Sequence, residues 1–176
     1  MTAEQVDSFV SGRAPDELPN LVRKGYAYYG SVIGKTPFQW KRDTIDADQN
    51  WKKLAGGNLL LLAVAPAVSR VSELSFRTRA SRDALITTLA LLRHKHDKGV
   101  FPADLQALVS AGYVAEVPMD PYSDKPLIYR RQRSSFALYS IGADFKDDGG
   151  RHDRRWGQGE QGGDYVFWPV QAASAR

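Results

Sequence analysis

The sequence predicts an α+β fold: a long helix packed on a short helix and a small antiparallel β-sheet, with a helical appendage in front. Three observations carry this. From Asn58 to about Lys98, apolar residues recur at three- and four-residue steps. After the three prolines Pro118, Pro121 and Pro126 the apolar period drops to about two. The glycine pair Gly56-Gly57 separates both from a polar stretch with isolated aromatics. It marks the expected boundary between an appendage, residues 1–57, and a main domain, residues 58–176.

Residues 1–20 contain Pro15 and Pro19 and several acids, and read as a short helix and a loosely held connection. Leu21, Val22, Tyr26, Tyr29, Val32 and Ile33 have helical spacing despite Gly25 and Gly30. In the long helix, Val68, Val71, Leu74, Leu85, Leu89 and Leu92 form the expected apolar stripe, most of it covering the sheet. Arg70, Arg77, Arg79, Arg82 and Arg93 lie between them. Pro66 is expected to kink this helix or lie near its first turn. Lys98-Gly99 suits its end, because lysine favours the C-terminal dipole and glycine leaves the helix easily. Pro102 fits a first helical position, with Asp104 at the dipole and Leu105, Leu108 and Val109 as one apolar face. "LIYRR" and "SFALYSI" pair as a hairpin across "QRS", and "DYVFWPV" adds a third strand. The connection from Gly142 to Gly163 is long and rich in glycine and charge, a pattern associated with function or disorder.

The absence of cysteine excludes thiolate metal sites, cysteine nucleophiles and disulfides. A formal charge of +4, spread along the chain, permits nucleic-acid binding without indicating it. The beginning lacks the charged and apolar regions of a secretory signal, so a complete chain is expected in the cytoplasm. If the chain is part of something longer, that expectation fails. The most apolar run, "NLLLLAVAPAV", falls well short of the roughly 20 residues of a spanning helix.

Most short motifs are explained as structure. "GSVIGKT" has three residues between its glycines where a phosphate loop needs four, and it reads as a turn. His94 and His96, two apart on a helix, diverge and do not chelate one ion easily. His152 is the third histidine, and none of the three lies in a nucleophile context. Asp120 before Pro121 reads as a turn former. No catalytic constellation emerges, and the expectation is a protein that is not an enzyme.

The succession "HDKGVFPADLQALVSAGYV", "VPMDPYSDKPLIYR", "FALYSIGADFKDDGG" and "GDYVFWP" behind a long helix resembles the globular part of the major pseudopilins of type II secretion systems. It is also similar to tails of larger uncharacterised bacterial proteins. The resemblance covers roughly residues 67 to 170, and the ordered set is more specific than any one string. It implies an interaction or assembly module with a calcium-binding acidic loop. The implied ligands are the Ile141 carbonyl, Asp144 and a later acid for which Asp164 is placed, with Asp147 and Asp148 as further candidates. Phe145 stands where the family has glycine after "GAD".

Calcium takes six to eight oxygens in flexible geometry, which acids, carbonyls and glycines in one loop can supply. Otherwise Lys146, Arg151, Arg154 and Arg155 neutralise the acids as a salt-bridged loop. The expected partner is another protein or a second copy. The rival function is nucleic-acid or polyanion binding by Arg130, Arg131 and Arg133 beside Tyr129 and Phe136, with the loop arginines Arg151, Arg154 and Arg155, set against an exposed strand edge guarded by charge.

Overall fold

The computed structural model describes residues 17–55 and 59–169. Gly56-Gly57 and the expected N-terminal helix lie outside them. The described residues form helices α1 (Glu17–Val32), α2 (Pro37–Arg42), α3 (Ala47–Ala55), α4 (Leu59–Lys98) and α5 (Gln106–Ser110). The strands are β1 (Met119–Asp120), β2 (Lys125–Pro126), β3 (Ile128–Arg131), β4 (Phe136–Ser140) and β5 (Tyr165–Trp168). The fold is α+β, as expected. The chain divides into two compact units, Met1–Ser75 and Phe76–Arg176.

In the first unit, Trp51 of α3 is the packing centre. With Ala55 it is buried among Leu21, Val22, Tyr28 and Tyr29 of α1 and Leu62 of α4. Its ring stands 4.9 Å from that of Tyr29. The stretch from Pro37 that reads as polar contains two helices, because local caps compensate for the weak apolar pattern. Thr36 and Gln39 form a reciprocal capping box, with Pro37 opening α2. Asp46 Oδ1 accepts the Gln49 amide at 2.8 Å at the start of α3. "GSVIGKT" straddles the end of α1, as a turn.

In the second unit, β3, β4 and β5 form an antiparallel sheet with β4 central. Ile128 pairs with Tyr139 and Arg131 with Phe136, matching the expected hairpin. A smaller β1–β2 ribbon, not anticipated, precedes it. Its two-residue strands are too short to show a period. The core gathers Leu91, Phe101, Leu105, Leu108, Leu127, Phe136 and Leu138. Burying each large side chain contributes roughly 1.5–3 kcal/mol. Phe136 stacks on Trp168 at 5.4 Å and meets Phe101 edge-on at 5.1 Å.

Two expectations are corrected. The face of α4 buried in this unit consists of Phe76, Ala80, Ala84, Thr87, Thr88, Ala90 and Leu91, whereas Leu85, Leu89 and Leu92 are 60, 58 and 39 % exposed. Val71 and Leu74 are exposed as well. Small side chains let the helix sit close to what it covers, so the buried face carries less hydrophobic signal than the exposed one. The short helix begins at Gln106, after Pro102, and Asp104 Oδ1 caps it by accepting the Ala107 amide at 2.9 Å. α4 ends as expected, with Gly99 at φ 76° and its amide donated to Lys95 O.

Gly25 tests the packing of the first unit. A Cβ there would fall 2.6 Å from Trp51 Cη2 and closer still to Cζ3, whereas a Cβ at Gly30 meets nothing within 4 Å. Gly25→Ala should destabilise this unit by about 1–3 kcal/mol. Gly30→Ala should stabilise it by about 0.5–1 kcal/mol. Urea unfolding followed by tryptophan fluorescence checks both signs.

Candidate functional site

The connection from Ile141 to Asp164 is pinned by aspartates that accept backbone amides. Asp120, at the end of β1, is buried, only 1 % exposed. Its Oδ1 accepts the Tyr122 amide at 3.0 Å and the Ser140 hydroxyl at 2.8 Å. Its Oδ2 accepts the Ile141 amide at 2.9 Å. Burial pushes this carboxyl above its usual range, and the amides of Ile141 and Tyr122 oppose that rise. Asp120 is a turn former, as read, and also the clamp that fixes where β4 becomes the loop.

The loop then closes on itself. Asp144 accepts the Lys146 amide at 3.2 Å and the Gly163 amide at 2.9 Å. Asp164, fully buried, accepts the Asp148 amide at 3.2 Å and the Gly150 amide at 2.6 Å. Burial raises its pKa, the amides of Gly150 and Asp148 oppose this, and the charges of Asp147 and Asp148 add to the rise. Asp153 gathers the amides of Arg155, Gly157 and Gly159, each at 3.0 Å. Burial alone would raise its carboxyl, but these amides outweigh burial and hold it below the usual range.

Aromatic packing completes the attachment. Trp156 is buried with Ala80 and Tyr122. It stacks on Tyr165 at 4.0 Å, with the rings 9° from parallel. Phe145 and Trp156 hold left-handed backbone at φ 62° and 59°. Such residues cost about 1–3 kcal/mol each and persist where their surroundings over-determine them. Phe145 therefore keeps the conformation that glycine would take without cost. At Gly142 (φ 74°) a Cβ would meet Gly163 O at 2.8 Å and Trp156 O at 2.9 Å, so the backbones approach too closely for a side chain.

The expected calcium donors are placed as follows. Asp144 and Asp164 bind amides, and at Ile141 the amide, not the carbonyl expected as a ligand, donates to Asp120. Asp147 takes the Tyr139 hydroxyl at 3.0 Å, the Gly149 amide at 2.9 Å and Arg130 at 3.2 Å. Asp148 Oδ1 pairs with Arg151 at 3.1 Å, while its buried Oδ2 has no hydrogen-bond partner. Among the described residues, no three His, Asp or Glu side chains gather so as to hold an ion. Arginines neutralise Asp147 and Asp148, and backbone amides serve the other acids, a third solution beside the two weighed from the sequence.

Of the hairpin arginines, Arg130 stacks over Tyr139 at 5.3 Å besides binding Asp147, and Arg131 donates to Phe101 O at 3.3 Å. The clamps at Asp120 and Asp153 and the Trp156 anchor were missed. Asp-Pro and Asp-x-x-x-Gly strings occur in ordinary turns, and nothing in one sequence says that a loop tryptophan is buried. No family, curated protein or solved structure matches the chain in comparison with known proteins.

Two measurements check this geometry. In Asp120→Asn an amide group must replace one carboxylate oxygen, so one buried bond is lost or two donors face each other. Stability should fall by about 1–3 kcal/mol in denaturant titration. His152 Nδ1 accepts the Val166 amide at 3.1 Å and must be unprotonated to do so. Burial and Arg154 depress its pKa, against the opposing charge of Asp153. The unfolded state then binds more protons as pH falls below about 6.5. Stability due to this group is present above that pH and lost below it, down through the folded pKa. The wild type should lose stability on acidification more steeply than His152→Gln, as read from melting at successive pH values.

Proposed function

We propose that the chain is a non-enzymatic, pseudopilin-like interaction and assembly module. The sheet and its aspartate-pinned loop provide the rigid body, and α4 provides the contact. The observation that carries this reading is the apolar face of α4. Leu85, Ile86, Leu89 and Leu92 stand 60, 50, 58 and 39 % exposed on a helix whose other side is buried. Contiguous apolar surface of this kind marks contact sites more often than bare solvent-facing surface. The order of sequence motifs shared with the pseudopilins supports the same reading.

In this proposal the amides and arginines bound by the loop's carboxylates order it, with Asp148 Oδ2 left without a partner. No catalytic step is assigned. The rival polyanion reading has less support, since Arg130 and Arg131 are engaged within the fold.

Photo-cross-linking in the host cell separates the readings. A benzophenone side chain at position 92 should trap a polypeptide, and one at position 133 on the hairpin should trap none. Nucleic-acid adducts at position 133, with none at 92, would replace this reading with the polyanion one.

A further inference from the structure

The contact face of α4 has a charge pattern complementary to its own reverse. Arg79, Asp83, Ile86, Ala90, Arg93 and Asp97 follow one another at steps of four and three along one side of the helix. The order is cation, acid, large apolar, small apolar, cation, acid. Asp83, Ile86, Ala90, Arg93 and Asp97 line a groove beside the helix, whose opposite wall is the segment from Ala111 to Met119. Beside this row rises the exposed ridge of Leu85, Leu89 and Leu92.

We infer that a second copy of this chain occupies this face, its α4 antiparallel to the first about a two-fold axis near Thr88-Leu89. This rests on the interaction-module reading and names its partner. Turned end for end about that point, the row puts Arg79 opposite Asp97 and Asp83 opposite Arg93, each pair occurring twice. On the ridge, Leu85 falls opposite Leu92, and Leu89 lies at the axis. Isologous two-fold contacts require such reciprocity: if i meets j, then j meets i. A parallel arrangement would instead place Arg79, Asp83, Arg93 and Asp97 each against its own copy, joining like charges.

The cross-copy charges are accessible. The Arg93 side chain is 77 % exposed and 3.8 Å from Asp97 of its own helix, whose carboxylate also accepts the Tyr113 hydroxyl at 2.8 Å and remains 38 % exposed. Arg82 holds Asp83 at 2.8 Å from one side, and that carboxylate remains 32 % exposed. Antiparallel helices with apolar ridges pack by interdigitation, and flanking charges select register and direction more than they add affinity.

The test is sedimentation equilibrium of the purified full chain, together with reversal of single charges. A reversible dimer is expected. Asp83→Arg or Arg93→Asp alone should weaken it by about tenfold, and the double variant D83R/R93D should recover most of the loss. Because the described chain has no cysteine, Leu89→Cys should oxidise to a covalent dimer across the axis, and Arg133→Cys should not. Far-UV circular dichroism spectra of the charge variants should match the wild type, showing that folding is intact. A chain monomeric at the highest concentration reached overturns the second-copy inference. The interaction-module reading then stands or falls on the position-92 cross-links to other polypeptides. A dimer indifferent to both single charge reversals overturns the antiparallel register.

Discussion

Hydrogen bonds from backbone amides to buried or half-buried aspartates fasten residues 141 to 164 to the sheet, and the second unit depends on them. Asp120 fixes the exit from β4 through Ser140 and Ile141, and Asp164 fixes the approach to β5 through Asp148 and Gly150. Between them, Asp144 and Asp153 turn the chain back on itself. A hydrogen bond to a charged group is worth about 1.5–3 kcal/mol, well above a neutral one. Several such bonds offset the cost of ordering a long glycine-rich segment. They also let Trp156 reach Tyr165 and Tyr122 and close the second aromatic cluster.

Fastening the loop gives α4 two distinct faces. Ala80, Ala84 and Ala90 allow close packing on the buried side. The leucines are left outward, where their burial must come from another surface. An exposed leucine ridge is a liability to an isolated domain and an asset to a module that assembles. The alternating charges beside it give that surface a direction.

Much of this was legible in the sequence. The hairpin, β5, the long helix and its end at Gly99 followed from periodicity and from turn residues, which act locally. The faces of α4 did not, because alanine and threonine contribute little to an apolar pattern and yet define the buried side. Helices α2 and α3 were hidden in a polar stretch where capping and a single tryptophan, Trp51, replace a continuous apolar stripe. At the loop, the sequence shows the acids and glycines but not the amides that bind them. An aspartate that binds an amide sixteen or nineteen residues away, as Asp164 and Asp144 do, leaves no local signature. Asp120 illustrates the limit: its turn role follows from Asp-Pro, and its burial follows only from the fold.

The central claim is that the loop is ordered by its own carboxylate–amide bonds. Amide hydrogen exchange at Ile141, Gly150 and Gly163 tests it most directly, measured in chelated protein and again with calcium. The account predicts slow exchange at all three in chelator, unchanged by calcium, and faster exchange at Gly150 in Asp164→Ala. Exchange at unfolded-chain rates in chelator, slowed only when calcium is added, would contradict it and make the loop a metal site.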